Sequence, residues 1–212
     1  MKTITLMSIG VSIMLIMSNL AQASESEVVR LHDFDMSKFT HLEISNGVGA
    51  IEMIQGTGDN LQVEVEIEGN RQGWLRRIKD VSDVDLEVRE RRNTLFLSLE
   101  EDDVKAQWTI RVPAGMTLEN THLTQGVGEV FVDSPSSPLF IKLGVGEVDV
   151  EFPELQAGRI DLRTGVGEVR IHGGDIINRK KAMVTESVLA EGQGSMAVEV
   201  QLGVGEINLD LY

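Results

Sequence analysis

Aliphatic residues recur at every second position on both sides of five short glycine phrases. Count from the first glycine of each phrase. Four places downstream stand Ile51, Val130, Val148, Val169 and Ile207, and six places downstream Met53, Val132, Val150, Ile171 and Leu209. Three places upstream stand Ile44, Leu123, Ile141, Leu162 and Val200, and five places upstream Leu42, Thr121, Leu139, Ile160 and Val198. The positions between are mixed or polar: Ser45, Thr124, Lys142, Arg163 and Gln201 upstream, and Glu52, Phe131, Asp149, Arg170 and Asn208 downstream. A period of two is the mark of a β-strand with one buried face, because successive side chains leave a strand on opposite sides.

The phrase itself is Gly-Val-Gly-Glu-Val at 126–130, 144–148 and 165–169, with Ile in last place at 203–207 and with Ala50 and Ile51 closing the copy at 47–51. The paired glycines Gly47 and Gly49, Gly126 and Gly128, Gly144 and Gly146, Gly165 and Gly167, and Gly203 and Gly205 read as corners between two strands. Glycine bends the backbone at no steric cost. First glycines at 126, 144 and 165 are 18 and 21 residues apart, a period that suits one rung of a β-solenoid whose like positions stack in columns. Ordinary hairpins sharing one favoured turn would not require alternation on both sides of it. The fold class expected is therefore all-β, a β-solenoid of strand–Gly-Val-Gly–strand rungs.

Outside the repeats, residues 24–40 are a polar lead-in in which Val28, Val29 and Leu31 can begin a strand. Residues 61–68 alternate cleanly, 84–88 alternate again, 94–99 return after a turn at 91–93, and 105–112 form a further strand closed by Pro113-Ala114-Gly115. Trp74, Leu75 and Ile78 fall at helical spacing, so 71–80 is expected to form one short helix. Residues 55–112 thus read as an antiparallel β insert capping the N-terminal end. The division expected is 1–23, then 24–115 with the first repeat and the insert, then 116–212 with the remaining repeats. The rhythm breaks between 165 and 203, so 173–195 is either one degenerate rung or a loop over the end of the stack. The last rung ends at Tyr212, which leaves its strand as an edge. Either 173–195 covers that edge, or two molecules pair there as a homodimer.

Residues 1–23 carry Lys2, a mostly apolar run from 4 to 17, and Ala21-Gln22-Ala23 before a small-residue cleavage point, the layout of a secretory signal. The run is short for a membrane span, so no stable span is expected once it is removed. The protein has 212 residues and a formal net charge of −15; Lys2 is the one charge in 1–23, so the remainder carries −16. That charge argues against nucleic acid and anionic membrane surfaces as partners. There is no cysteine, which removes disulfides, lipid attachment at cysteine, thiol catalysis and cysteine metal sites. The address expected is exported: periplasmic in a Gram-negative cell, otherwise secreted or cell-surface.

The Gly-x-Gly-Glu-Val phrase in aliphatic strands, the strand ending in Arg111-Val112-Pro113-Ala114-Gly115 and the leader together resemble the bacterial putative-adhesin family of exported β-strand-repeat proteins, related to some adhesin head domains. The resemblance spans nearly all of the chain after the leader. It implies a β-solenoid in the cell envelope and brings no catalytic residues with it. This chain departs from a uniform repeat at Ala50 and across 173–195.

A search for chemistry finds little. His32, His41, His122 and His172 show no metal-ligand spacing, and no nucleophile elbow, phosphate loop or zinc signature is present. Gly-Val-Gly lacks the third glycine and the helix of a dinucleotide site. No catalytic, cofactor-binding or dedicated metal residues are assigned, and no cofactor. Glu129, Glu147, Glu168 and Glu206 share one outward column and form a weak cation ladder. The protein is expected to be a non-enzymatic envelope protein, adhesin-like, that binds an envelope protein, a glycan or itself through a solenoid face. The alternative is a β-helix carbohydrate-active enzyme using carboxylates such as Glu147, Asp149 and Glu168 beside Arg170. Such sites usually add sugar-stacking aromatics, and the chain holds two Trp and one Tyr.

Overall fold

The computed structural model describes residues 26–72 and 77–212, so the leader at 1–23 lies outside the described residues. The protein is all-β, with one 3-10 turn at Met36–Lys38 and no α-helix among the described residues. The strands are β1 (Glu27–Phe34), β2 (His41–Gly56), β3 (Leu61–Gly69), β4 (Arg71–Gln72), β5 (Arg77–Ile78), β6 (Glu87–Arg91) and β7 (Thr94–Leu99). They continue with β8 (Val104–Pro113), β9 (Asn120–Asp133), β10 (Leu139–Phe152), β11 (Ala157–His172), β12 (Asp175–Ala182), β13 (Thr185–Glu191) and β14 (Met196–Leu211).

The five repeats are β2, β9, β10, β14 and β11, in that spatial order and all parallel. Their register matches the sequence columns: Val148 lies beside Val130 and Ile207, and Gly146 beside Gly128 and Gly205. Five residues, 134–138, join β9 to its parallel neighbour β10. Five residues span at most about 18 Å, whereas a straight strand of 14 residues would run about 46 Å. Each repeat strand must therefore turn back on itself, and the glycines are where it does so. The aliphatic columns on both arms, Ile44, Ile141 and Leu162 before the corner and Ile51, Val148 and Ile207 after it, belong to one buried core. Lys142 and Arg163 face solvent.

The insert, expected to be antiparallel, is so only in part. β7 runs parallel to the first half of β2 and β8 parallel to its second half, so together they extend the repeat stack by one strand. Between the residues paired with Asn46 and Gly49 they hold six residues, Glu100 to Lys105, where β2 has two. An acidic loop thus replaces the glycine corner, which is why the repeat is invisible in the sequence. Antiparallel strands complete this end: β6 on β7, and β3 then β1 on β8. The helix expected over 71–80 is not formed. Arg71 pairs with Ile78 and Gln72 with Arg77 in a short antiparallel ladder, while 73–76, with Trp74 and Leu75, lie outside the described residues. Backbone pairing at both flanks outweighs a helical spacing carried by three side chains.

The far end holds two further corrections. Residues 173–195 are neither a rung nor a covering loop: β12 and β13 form a hairpin that continues the sheet antiparallel to β11. β14 is not an edge. It lies between β10 and β11, bonded to both, so the C-terminal edge that either 173–195 or a second molecule was to cover does not exist. The end strands of the large sheet are β1, β6 and β12, and β11 is paired on one side only beyond its corner. β12 carries Arg179, Lys180 and Lys181, charges that discourage edge-to-edge pairing.

The β1–β3 end is acidic. Glu66 lies opposite Val29, between Glu64 and Glu68 on its own strand and near Glu27, with Gln107 across on β8. Hydrogen bonding to Glu27, then partial loss of solvation, then the charges of Glu27, Glu68 and Glu64 raise the Glu66 carboxyl above its ordinary value of 4.5. A raised carboxyl disfavours the fold while ionised, so stability rises as pH falls through the raised value and levels off below 4.5. Glu66→Gln should melt slightly higher than wild type at pH 7, with the difference shrinking toward pH 4.5 in a melting series. A difference that stays constant with pH would show that Glu66 does not titrate with folding.

Candidate functional site

The corner strip is the surface that every repeat builds in common. Its second glycines stack, and each has positive φ, from 136° at Gly128 to 146° at Gly167. A Cβ on Gly146 would lie 1.7 Å from the carbonyl oxygen of Gly128 on the next strand. The first glycines Gly47, Gly126, Gly144, Gly165 and Gly203 do not share that φ. For four of them the role is close approach: a Cβ on Gly144 would lie 2.4 Å from the oxygen of Gly126, whereas one on Gly47, beside the acidic loop, would have nothing nearer than 3.8 Å.

At the corner the alternation shifts phase. The first glycine and the valine after it both face outward, so Val48, Val127, Val145, Val204 and Val166 are each 43–48% exposed. In the sequence this valine stands only as the residue between two glycines. The signal that could have found it is its presence in all five copies at a position outside both buried columns.

The next outward column runs Ala50, Glu129, Glu147, Glu206, Glu168 in spatial order. The four glutamates are thus brought together, but in an order sequence could not supply. Arg170 sits between two of them, bonding Glu168 at 2.7 Å and also Glu206. Hydrogen bonding by Glu206 and the charge of Glu168 hold the Arg170 guanidinium above its ordinary range. Asn208 donates to Glu147 at 3.0 Å and to Asp149 at 2.8 Å. Among the described residues no three His, Asp or Glu side chains converge as a metal site.

Polar groups also close the stack from within. The buried position just before the corner is Asn46, Gln125, Leu143, Leu202 and Thr164 across the strands, apolar in the middle and polar toward both ends. Asn46 donates to Gln125 at 2.9 Å. Beyond Thr164 stands Glu186 of β13, whose side chain is 1% exposed and pairs with Lys181 at 3.2 Å and Arg179 at 3.7 Å. Its carboxylate accepts from the Val169 backbone N–H at 3.3 Å, and Arg179 donates to the Val169 carbonyl at 3.4 Å. These side chains stand in for the strand that β11 lacks beyond its corner.

A concavity lies apart from the corner strip, with no signal for it in the sequence. A groove of about 880 Å³ lies between the 79–87 segment and β2 and β7, lined by Asp80, Asp83, Asp85, Glu87, Glu100 and Glu101, with Lys79, Arg89, Phe96 and His122 also in its wall. Lys79 is bound to Glu101 at 2.6 Å. The Ser82 backbone N–H holds Asp80 below the ordinary carboxyl range, the reverse of what a general acid needs. Trp108 is 1% exposed and lines no surface. The histidines are dispersed: His32 bonds Asp85 at 2.9 Å, and His122 packs on Phe140 at 4.7 Å between ring centroids.

No family model matches the chain, and no curated protein matches it. Among solved structures, a putative cell adhesion protein from Clostridium sporogenes superposes with a TM-score of 0.57 at 16% identity, covering 88% of this chain and 99% of its own. A putative adhesin from Parabacteroides merdae reaches 0.38 at 8% identity, over 87% of this chain and 77% of that one. One from Bacteroides fragilis reaches 0.28 at 11%, over 87% and 97%. The last two superpose too loosely to carry an argument. The first matches along nearly the whole of both chains, and at this identity the conclusion it supports is that the chain has the fold of the Clostridium protein.

Proposed function

We propose that this is a non-enzymatic, exported cell-envelope protein whose repeats stack as the rungs of a β-solenoid, and that it acts in an adhesin-like way by binding through its outer faces. The observation that carries this reading is the register of five strands that share one pattern, which presents long regular columns to solvent instead of gathering reactive groups around one point. The description of the Clostridium protein as a putative cell adhesion protein agrees with it. The leader at 1–23 and the net negative charge fit an exported protein, periplasmic or at the surface according to the cell.

The carboxylates of the groove favour a second reading, a polysaccharide-cleaving enzyme. Against it stand the absence of Trp or Tyr among the described residues that line the groove and the depressed Asp80. Residues 24–212 incubated with envelope polysaccharide and whole envelope fraction should adsorb to envelope material and release no new reducing ends. Release that is lost in an Asp83→Asn, Glu87→Gln variant would overturn the binding reading in favour of the enzyme.

A further inference from the structure

We propose that the corner valines, together with the glutamates beside them on β9 and β10, form a docking strip for a cationic polypeptide that carries aliphatic side chains. Val48, Val127, Val145, Val204 and Val166 stand side by side across β2, β9, β10, β14 and β11. With strands about 4.8 Å apart, the strip is about 19 Å long, the reach of about six extended residues.

Folding does not require valine there. Threonine has the same β-branched shape, which suits an extended residue, and its hydroxyl would be solvated at a position nearly half exposed. Apart from the glutamate column, the exposed columns on the two arms vary freely: Ser45, Thr124, Lys142, Gln201 and Arg163 before the glycines, and Glu52, Phe131, Asp149, Asn208 and Arg170 beyond the glutamates. A water-facing aliphatic residue present in every copy, among exposed columns that vary, is the composition of a contact surface.

Charge selects the occupant. Arg170 occupies Glu168 and Glu206, while among the described residues no cation pairs with Glu129 or Glu147. The strip therefore offers apolar contact with uncompensated negative charge along one side, most of it on β9 and β10. That combination repels anionic lipid headgroups. A second copy is disfavoured by size, because half-exposed valines in one column fall far short of the ~800 Å² per partner of a stable dimer. A basic, aliphatic polypeptide segment satisfies both components. The inference deepens the binding reading by naming one face and the chemistry it takes.

The test uses the chain from residue 24 and a fluorescent (Lys-Leu)4 peptide, with (Lys-Ser)4, (Glu-Leu)4 and phosphatidylglycerol vesicles as controls, read by anisotropy and cosedimentation. The (Lys-Leu)4 peptide should bind and the controls should not. Val127→Thr, Val145→Thr and Val204→Thr combined should weaken binding about tenfold with an unchanged melting temperature. Glu129→Gln with Glu147→Gln should weaken it about threefold and flatten its salt dependence. Wild type that ignores (Lys-Leu)4 overturns the proposal, and so does equal binding of (Lys-Ser)4 or of the vesicles. A threonine variant that binds as wild type, or that loses stability, overturns it as well. A dimer of the wild type that the threonine variant abolishes would reassign the strip to a second copy and overturn it too. Adsorption to envelope material by the threonine variant would leave the broader binding reading standing while this strip fails.

Discussion

Gly146→Val should lower the melting temperature by roughly 5–25 °C. Two costs coincide at this residue. Its φ of 144° is a conformation that side chains rarely adopt, and holding a β-branched residue there costs about 1–3 kcal/mol. The new Cβ would also lie 1.7 Å from the Gly128 oxygen and 2.7 Å from its carbonyl carbon. Those atoms are backbone within a parallel ladder that continues to β2, so relief requires parting the strands, an overpacking cost of about 1–3 kcal/mol or more. At about 2–4 °C per kcal/mol for a chain of this size, the sum gives the stated drop. Val145→Thr, one residue away and facing solvent, should change the melting temperature by no more than a degree or two in the same calorimetric series. If Gly146→Val melts beside wild type, the corner is softer than its geometry implies and the glycine column is not what aligns the strands.

Deleting residues 206–212 should abolish folding rather than free an edge. The segment contributes Ile207 and Leu209, both fully buried, and Leu211 at 9% exposure. Burying aliphatic side chains of this size is worth about 1.5–3 kcal/mol each, so their loss approaches the 5–15 kcal/mol that holds a typical domain together. The damage is not confined to them. β14 is bonded to β10 along Glu147–Phe152 and to β11 along Glu168–His172, so the deletion strips two interior strands of partners at once. The terminus is fastened as well: Glu154 N–H donates to the Tyr212 carbonyl at 2.8 Å and Tyr212 N–H to the Phe152 carbonyl at 3.2 Å. The expected result is loss of the cooperative melting transition and of near-ultraviolet circular dichroism. A soluble truncated chain with native-like melting would mean that β10 and β11 can close on each other without the last strand.

Three features of the sequence carried most of the architecture: the alternation around Gly-Val-Gly, the equal spacing of like residues from the glycines, and the strands at 61–68, 94–99 and 105–112. They were legible because a strand with one buried face must alternate, and because a corner that touches the next strand's carbonyl must be glycine. Both are local demands, written at each position. The columns therefore came out in register, including Val148 beside Val130 and the four glutamates on one side. What the local pattern could not carry was order. Any of the repeats can lie beside any other, since all present the same edges and columns, and only the lengths of the connections select among them. Four residues after β10 carry the chain past one strand position to β11, and the hairpin of β12 and β13 brings β14 back into that place. The same limit hid the strand split between β7 and β8, where four extra residues and an acidic loop erase the glycine signal while leaving the pairing intact. The exposure of the corner valines and the placement of Arg170 between Glu168 and Glu206 were likewise decided in three dimensions. The first follows from a bend that shifts the alternation by one residue. The second follows from a neighbour, β14, whose Glu206 lies 36 residues from Arg170 in the chain.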